Sequence, residues 1–241
     1  MNKTATNKTK QKKRTIISLL LIGAILIGGA FAFLTAQDSK TNVFTIGNIS
    51  INLVENFDAD GDGVTEKYES NIKTPPTREN IIPGVDIVKE PYVENTSNNP
   101  CRLYMTVKVP TLTKAEAYVQ NDGDTYTLDG EKKIEVTAYA IQDGYADKTD
   151  SVEIWTEYFN KNVSFGDEYT GSADDRIQMF DIKAVNTTEW NLMSTFQSVD
   201  GNNYYTYVYV GNGNNLLAAG STSVPLFTKV ALVETIGNTI A

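Results

Sequence analysis

Arg102-Leu103-Tyr104-Met105-Thr106-Val107-Lys108-Val109 puts Leu103, Met105, Val107 and Val109 on one side of an extended chain and Arg102, Tyr104, Thr106 and Lys108 on the other. Successive side chains of a strand point to opposite faces, so this alternation predicts a half-buried β-strand. The same period joins Ile49, Ile51 and Leu53 against Asn48, Ser50 and Asn52. It joins Ile134, Val136, Ala138 and Ala140 against Glu135, Thr137 and Tyr139. Residues 85–93, 177–185, 203–210 and 224–234 are further strand-like runs, rich in β-branched or aromatic residues. Turn pairs separate them: Pro83-Gly84, Asp122-Gly123, Asp129-Gly130, Asp143-Gly144, Asp200-Gly201 and Gly211-Asn212-Gly213.

Helical signal is thin, and its best candidate is the short stretch 113–119. Many strands with little helix and no strand–helix–strand rhythm predict an all-β chain, an antiparallel jelly-roll-like β-sandwich with few short helices. No fixed-period repeat argues for a solenoid or propeller. The longest connection, 55–82, shows no pattern of its own, and long loops are commonly functional or disordered.

The composition excludes several classes. The chain of 241 residues has no histidine, which removes Ser-His-Asp and Cys-His nucleophile activation, HExxH zinc sites and imidazole ligands, and points away from an enzyme. Its one cysteine, Cys101, cannot form a disulfide within the chain and reads as a small buried hydrophobe. Six of the 21 Lys+Arg lie in residues 1–36 and none of the 30 Asp+Glu does, which leaves 15 cations against 30 acids, a net charge of −15. Such a surface repels phosphate, so nucleic acid is not an expected partner.

The amino terminus reads as an export signal. Residues 3–14 carry Lys3, Lys8, Lys10, Lys12, Lys13 and Arg14, and the uncharged run 16–34 follows, ending near Gly28-Gly29-Ala30-Phe31-Ala32. Ala30 and Ala32 fit a small-residue cleavage site before Phe33, dividing the chain into a signal peptide (1–32), which would form an N-terminal signal helix, and a secreted β-sandwich domain (33–241). The run of 19 residues is also long enough to stay as an anchor. On both readings the rest of the protein lies outside the cytoplasm, and the membrane is met only through this segment.

Asp58-Ala59-Asp60-Gly61-Asp62-Gly63-Val64-Thr65-Glu66-Lys67-Tyr68-Glu69 matches D-x-D-x-D-G-x₅-E without a gap. Carboxylates at positions 1, 3 and 5 converge on one cation, the glycine at position 6 allows a sharp turn, and an acid at position 12 closes the site. Asp58, Asp60, Asp62, the Val64 carbonyl and Glu69 are therefore the candidate ligands, and an all-oxygen set selects Ca²⁺. The flanking helices of an EF-hand are not predicted, so this would be a stand-alone calcium loop.

Three blocks carry a family resemblance. The first runs Phe31-Ala32-Phe33-Leu34-Thr35-Ala36-Gln37-Asp38-Ser39-Lys40-Thr41-Asn42-Val43-Phe44-Thr45-Ile46-Gly47-Asn48-Ile49-Ser50-Ile51, with Phe44, Gly47, Ile49 and Ile51 as its pattern positions. The second is Ile82-Pro83-Gly84, then Glu94-Asn95-Thr96-Ser97 and the strand 102–109; the third is Tyr204-Tyr205-Thr206-Tyr207-Val208-Tyr209, Gly220-Ser221-Thr222 and Pro225-Leu226-Phe227. In their order and signal type these blocks resemble the TasA/camelysin family of exported bacterial proteins. The resemblance implies a jelly-roll fold, export with processing by a dedicated signal peptidase, and a Gram-positive cell-surface or biofilm-matrix role. It further implies fibres built by donor-strand complementation, in which one subunit's N-terminal strand completes the sheet of the next copy or of a related matrix subunit. The candidate donor is 33–47, with Val43, Phe44 and Ile46 as apolar anchors. Camelysin's description as a metalloprotease does not carry over to a chain with no histidine to bind zinc.

Tyr205, Tyr207 and Tyr209 share one strand face, and packing is their expected use, as it is for Trp155, Tyr158 and Phe159. The resulting expectation is a secreted structural subunit. The alternative is a monomeric, calcium-stabilised surface binding or adhesion module.

Overall fold

The computed structural model describes residues 44–45, 49–69, 81–113, 132–172 and 175–234. Its strands are β1 (Phe44–Thr45), β2 (Ile51–Phe57), β3 (Glu66–Glu69), β4 (Asp86–Asn95), β5 (Cys101–Thr113), β6 (Glu135–Gln142), β7 (Arg176–Gln178), β8 (Phe180–Lys183), β9 (Trp190–Gln197), β10 (Asn202–Tyr209) and β11 (Lys229–Leu232); helix α1 spans Ser151–Asn162. Sheet I has the order β1-β6-β5-β10-β9, with β7 added to the far end of β5, and sheet II has the order β3-β2-β4-β11-β8. Among the described residues every strand pairing is antiparallel except β1 with β6. The fold is all-β and sandwich-like.

The alternation that predicted β5 sorts the core. Leu103, Met105, Val107 and Val109 join Val136, Ala138 and Ala140 of β6 and Ile51, Leu53, Ile87 and Val93 of sheet II in one buried cluster. Tyr104, Tyr139, Ile141 and Val208, on the opposite face of sheet I, form a second cluster with Ile154, Trp155 and Tyr158 of α1. Sheet I is thus apolar on both faces at its centre, with the helix covering the side that would otherwise meet water.

Helix α1 was not expected. Its start carries a readable signal: the Asp150 carboxylate accepts from the backbone N–H groups of Val152 and Glu153, with Glu153 three positions after the cap. Ile154, Trp155 and Tyr158 then make one buried face at helical spacing. The stretch 113–119, where a helix was expected, lies outside the described residues apart from Thr113, which ends β5. The signal segment 1–32 also lies outside them.

Two expected strands change form. Residues 177–185 divide at Met179, whose N–H bonds to Pro110 in sheet I while its carbonyl accepts from Val233 beyond the end of β11. The chain therefore passes from one sheet to the other at this residue, with β7 on one side and β8 on the other. Residues 224–234 shorten to β11 because the facing β4 has Pro91 where a ladder N–H is needed, and Pro225 lacks one too. Isolated bonds replace the ladder: Leu226 N–H to Pro91, Ser223 N–H to Val93, and Lys89 N–H to Thr228. The connection 55–82, expected as a single loop, contains the end of β2 and all of β3.

Candidate functional site

The aspartate loop closes a β-hairpin. Phe57 pairs with Glu66 at its mouth, and β2 and β3 run back from there to Val54 opposite Glu69. Oxygens of Asp58, Asp60 and Asp62 lie within 4.8 Å of one another. The loop is held by its own carboxylates: Gly61 N–H donates to Asp58 Oδ1 at 2.7 Å, Asp62 N–H to Asp60 Oδ1 at 3.2 Å and Val64 N–H to Asp62 Oδ1 at 2.7 Å. Asp58 is buried, whereas Asp60 and Asp62 face water. Gly63 has φ +86°, a conformation that L residues with a Cβ rarely adopt, and open space surrounds its missing Cβ. Glycine is required there by the turn and not by crowding.

Glu69 is not among the gathered acids. Three residues of strand at about 3.4 Å each put its backbone about 10 Å from the hairpin mouth. Its side chain pairs with Lys67 at 3.1 Å, and Lys67 also reaches Glu94 at 2.9 Å. Glu94 first, and Glu69 second, raise the Lys67 pKa, so this ammonium stays charged. The acid that the register carries nearest the loop is Glu66, directly opposite Phe57. The twelve-residue pattern puts its closing acid at position 12 because a helix follows the loop of an EF-hand, whereas a strand follows here.

The second feature is the end of sheet I formed by β1 and β6. Strand β6 pairs with β5 along its whole length, from Lys108↔Glu135 to Cys101↔Gln142. On its other side the described pairing is Phe44↔Tyr139 and Thr45↔Ala140, in parallel sense. Val136, Ala138, Tyr139, Ala140 and Ile141 are each no more than 5% exposed, and no charge lies between Glu135 and the end of the strand. Of the three donor anchors, Phe44 falls in β1, while Val43 and Ile46 lie outside the described residues.

The other edges are blunted in ordinary ways. Strand β3 carries Glu66, Lys67 and Glu69 in four residues, and β8 is four residues long with Asp181 and Lys183. Strand β9 has a bulge opposite the Thr206/Tyr207 step, and its end is covered by the 167–169 segment through the Tyr169 N–H to Gln197 and Val199 N–H to Asp167 bonds.

The aromatic residues pack as expected. Tyr205, Tyr207 and Tyr209 face the inter-sheet core, Trp155 and Tyr158 are buried beneath α1, and Phe159 packs against that second cluster. Tyr204, on the outer side, stacks on Phe165 at 4.1 Å. Burial pushes the Cys101 thiol up to about 12, so it is inert as a nucleophile. Among protein-family models, curated proteins and solved structures, nothing matches this chain.

Proposed function

We propose that this chain is a secreted structural subunit of the cell surface or biofilm matrix, a jelly-roll-type sandwich that assembles into fibres by donor-strand exchange. The observation that carries the reading is β6, second from the end of sheet I and built like a central strand: apolar toward the core, apolar toward α1, uncharged along its middle, and paired on its outer side with two described residues of the N-terminal segment. The outward N–H and C=O groups of such a strand are a template on which another strand can pair. The segment 33–47 of a neighbouring copy, running parallel to β6 as β1 does, would extend that pairing. Donor and acceptor are different surfaces of one subunit, so repeated contacts propagate as an open fibre.

The aspartate loop supports a calcium-stabilised subunit. Asp58, Asp60 and Asp62 would hold Ca²⁺ with the Val64 carbonyl, and Glu66 stands nearer for closure than Glu69, which would have to leave Lys67. The donor set is all oxygen, as Ca²⁺ prefers. Export through a signal segment cut by signal peptidase, leaving no membrane contact in the mature protein, fits the amino-terminal sequence.

A second reading, a monomeric calcium-stabilised binding or adhesion module, is favoured by one observation: β1 pairs with β6 of its own chain. Negative-stain electron microscopy of residues 33–241 beside 48–241 separates the two. Fibres from the longer form alone support strand donation; monomers from both leave the module.

A further inference from the structure

Glu55 and Lys89 occupy an unusual place. Their strand positions share the inward parity of Ile51, Leu53 and Phe57 in β2 and of Ile87 and Val93 in β4, so both side chains enter the inter-sheet core. Their side chains are 10% and 9% exposed, Lys89 Nζ is 2.6 Å from Glu55 Oε2, and the ammonium lies 5.3 Å from the centre of the Phe57 ring. Neither side chain has another hydrogen bond among the described residues. The two side chains therefore face one another in a nearly closed space, each with the other as its hydrogen-bond partner.

We propose that Lys89 and Glu55 form an intramolecular isopeptide bond. Moving one proton from Nζ to Oε2 along their 2.6 Å hydrogen bond gives the amine and the carboxylic acid that a condensation requires. The Nζ lone pair then attacks Glu55 Cδ, which lies one C–O bond beyond an oxygen already in contact, within roughly the 3–3.5 Å range of a near-attack geometry. The Nζ–Cδ bond forms, a proton passes from nitrogen to the carboxyl hydroxyl, the C–O bond breaks and water leaves. No oxidant or cofactor is consumed. The product is a neutral amide across β2 and β4 that closes the segment containing the aspartate hairpin. It supplies a covalent brace to a chain whose single cysteine cannot make a disulfide of its own.

The test is a tryptic digest of the full-length gene product recovered from its native location, read by tandem mass spectrometry. The bond predicts peptide 41–67 joined to 79–102, uncleaved after Lys89, at the summed peptide masses less one water. Lys89→Met would release 41–67 unlinked. Should that variant fail to accumulate, the wild-type digest decides alone. Cleavage after Lys89 with 41–67 recovered free would overturn the proposal and leave an ordinary buried ion pair.

Discussion

Trp155→Ala probes whether α1 is part of the folded core or an ornament on it. The indole is 5% exposed and sits 5.0 Å from the Tyr104 ring and 5.1 Å from the Tyr139 ring, with Tyr158 and Phe159 beside it. Removing a buried aromatic side chain costs about 3–5 kcal/mol, of which each lost ring pair contributes about 0.5–1.5 kcal/mol. Against a typical total of about 5–15 kcal/mol, this is a large fraction. Val152 lies on the same helix but is 56% exposed, so Val152→Ala should stay within about 0.5 kcal/mol of wild type. Urea unfolding should show the midpoint of Trp155→Ala falling sharply with little change in slope. If both substitutions cost about the same, under ~1 kcal/mol, the helix is not docked on sheet I as described.

Three further outcomes follow from the same geometry. Burial is the first cause raising the pKa of Tyr104, Tyr139, Tyr158, Tyr204, Tyr205, Tyr207 and Tyr209, with Tyr204 and Tyr209 pushed up to about 12. A raised pKa contributes stability below the unfolded value of about 10 and loses it as pH rises through the folded value, so the urea midpoint should fall above about pH 10; a flat profile would count against buried rings. Calcium at a hundredfold excess over Kd should stabilise the fold by about 2.7 kcal/mol, and Asp60→Asn with Asp62→Asn should abolish the gain; equal melting temperatures with and without chelator would reject the site. The hydrogen bond from Lys183, then that from Lys229, lowers the Asp86 pKa, so its contribution is present above the ordinary carboxylate range and lost as pH falls through the lowered value. Asp86→Asn should therefore flatten part of the acid limb, and an unchanged acid profile would show the pairs to be inert.

The sequence was most legible where one face was apolar and the other polar, as in the expected period of β5 and β6. It was least legible where a third layer intervened. Tyr104, Tyr139 and Ile141 look like outward residues until α1 covers them, and the helix was hidden because its buried face is short and aromatic residues also suit strands. Strand β9 went unread because its exposed edge positions, such as Leu192 at 52%, break the alternation. The turn at Met179 depends on hydrogen bonds to residues far away in sequence, which no local pattern reports. At the aspartate loop the convergence of Asp58, Asp60 and Asp62 was legible from spacing alone. The place of Glu69 was not, because it depends on the pairing of β3 with β2.

The most direct test of strand exchange uses the register of β1 on β6. Thr45 pairs with Ala140, so a Thr45→Cys, Ala140→Cys chain oxidised after assembly links whichever copies share that contact. The buried Cys101, with its raised thiol pKa, stays out of the reaction. Strand exchange predicts a ladder of disulfide-linked multimers on a non-reducing gel, collapsing to one band with reductant. A single cross-linked monomer band from assembled material would contradict it, because the strand would then complete its own sheet.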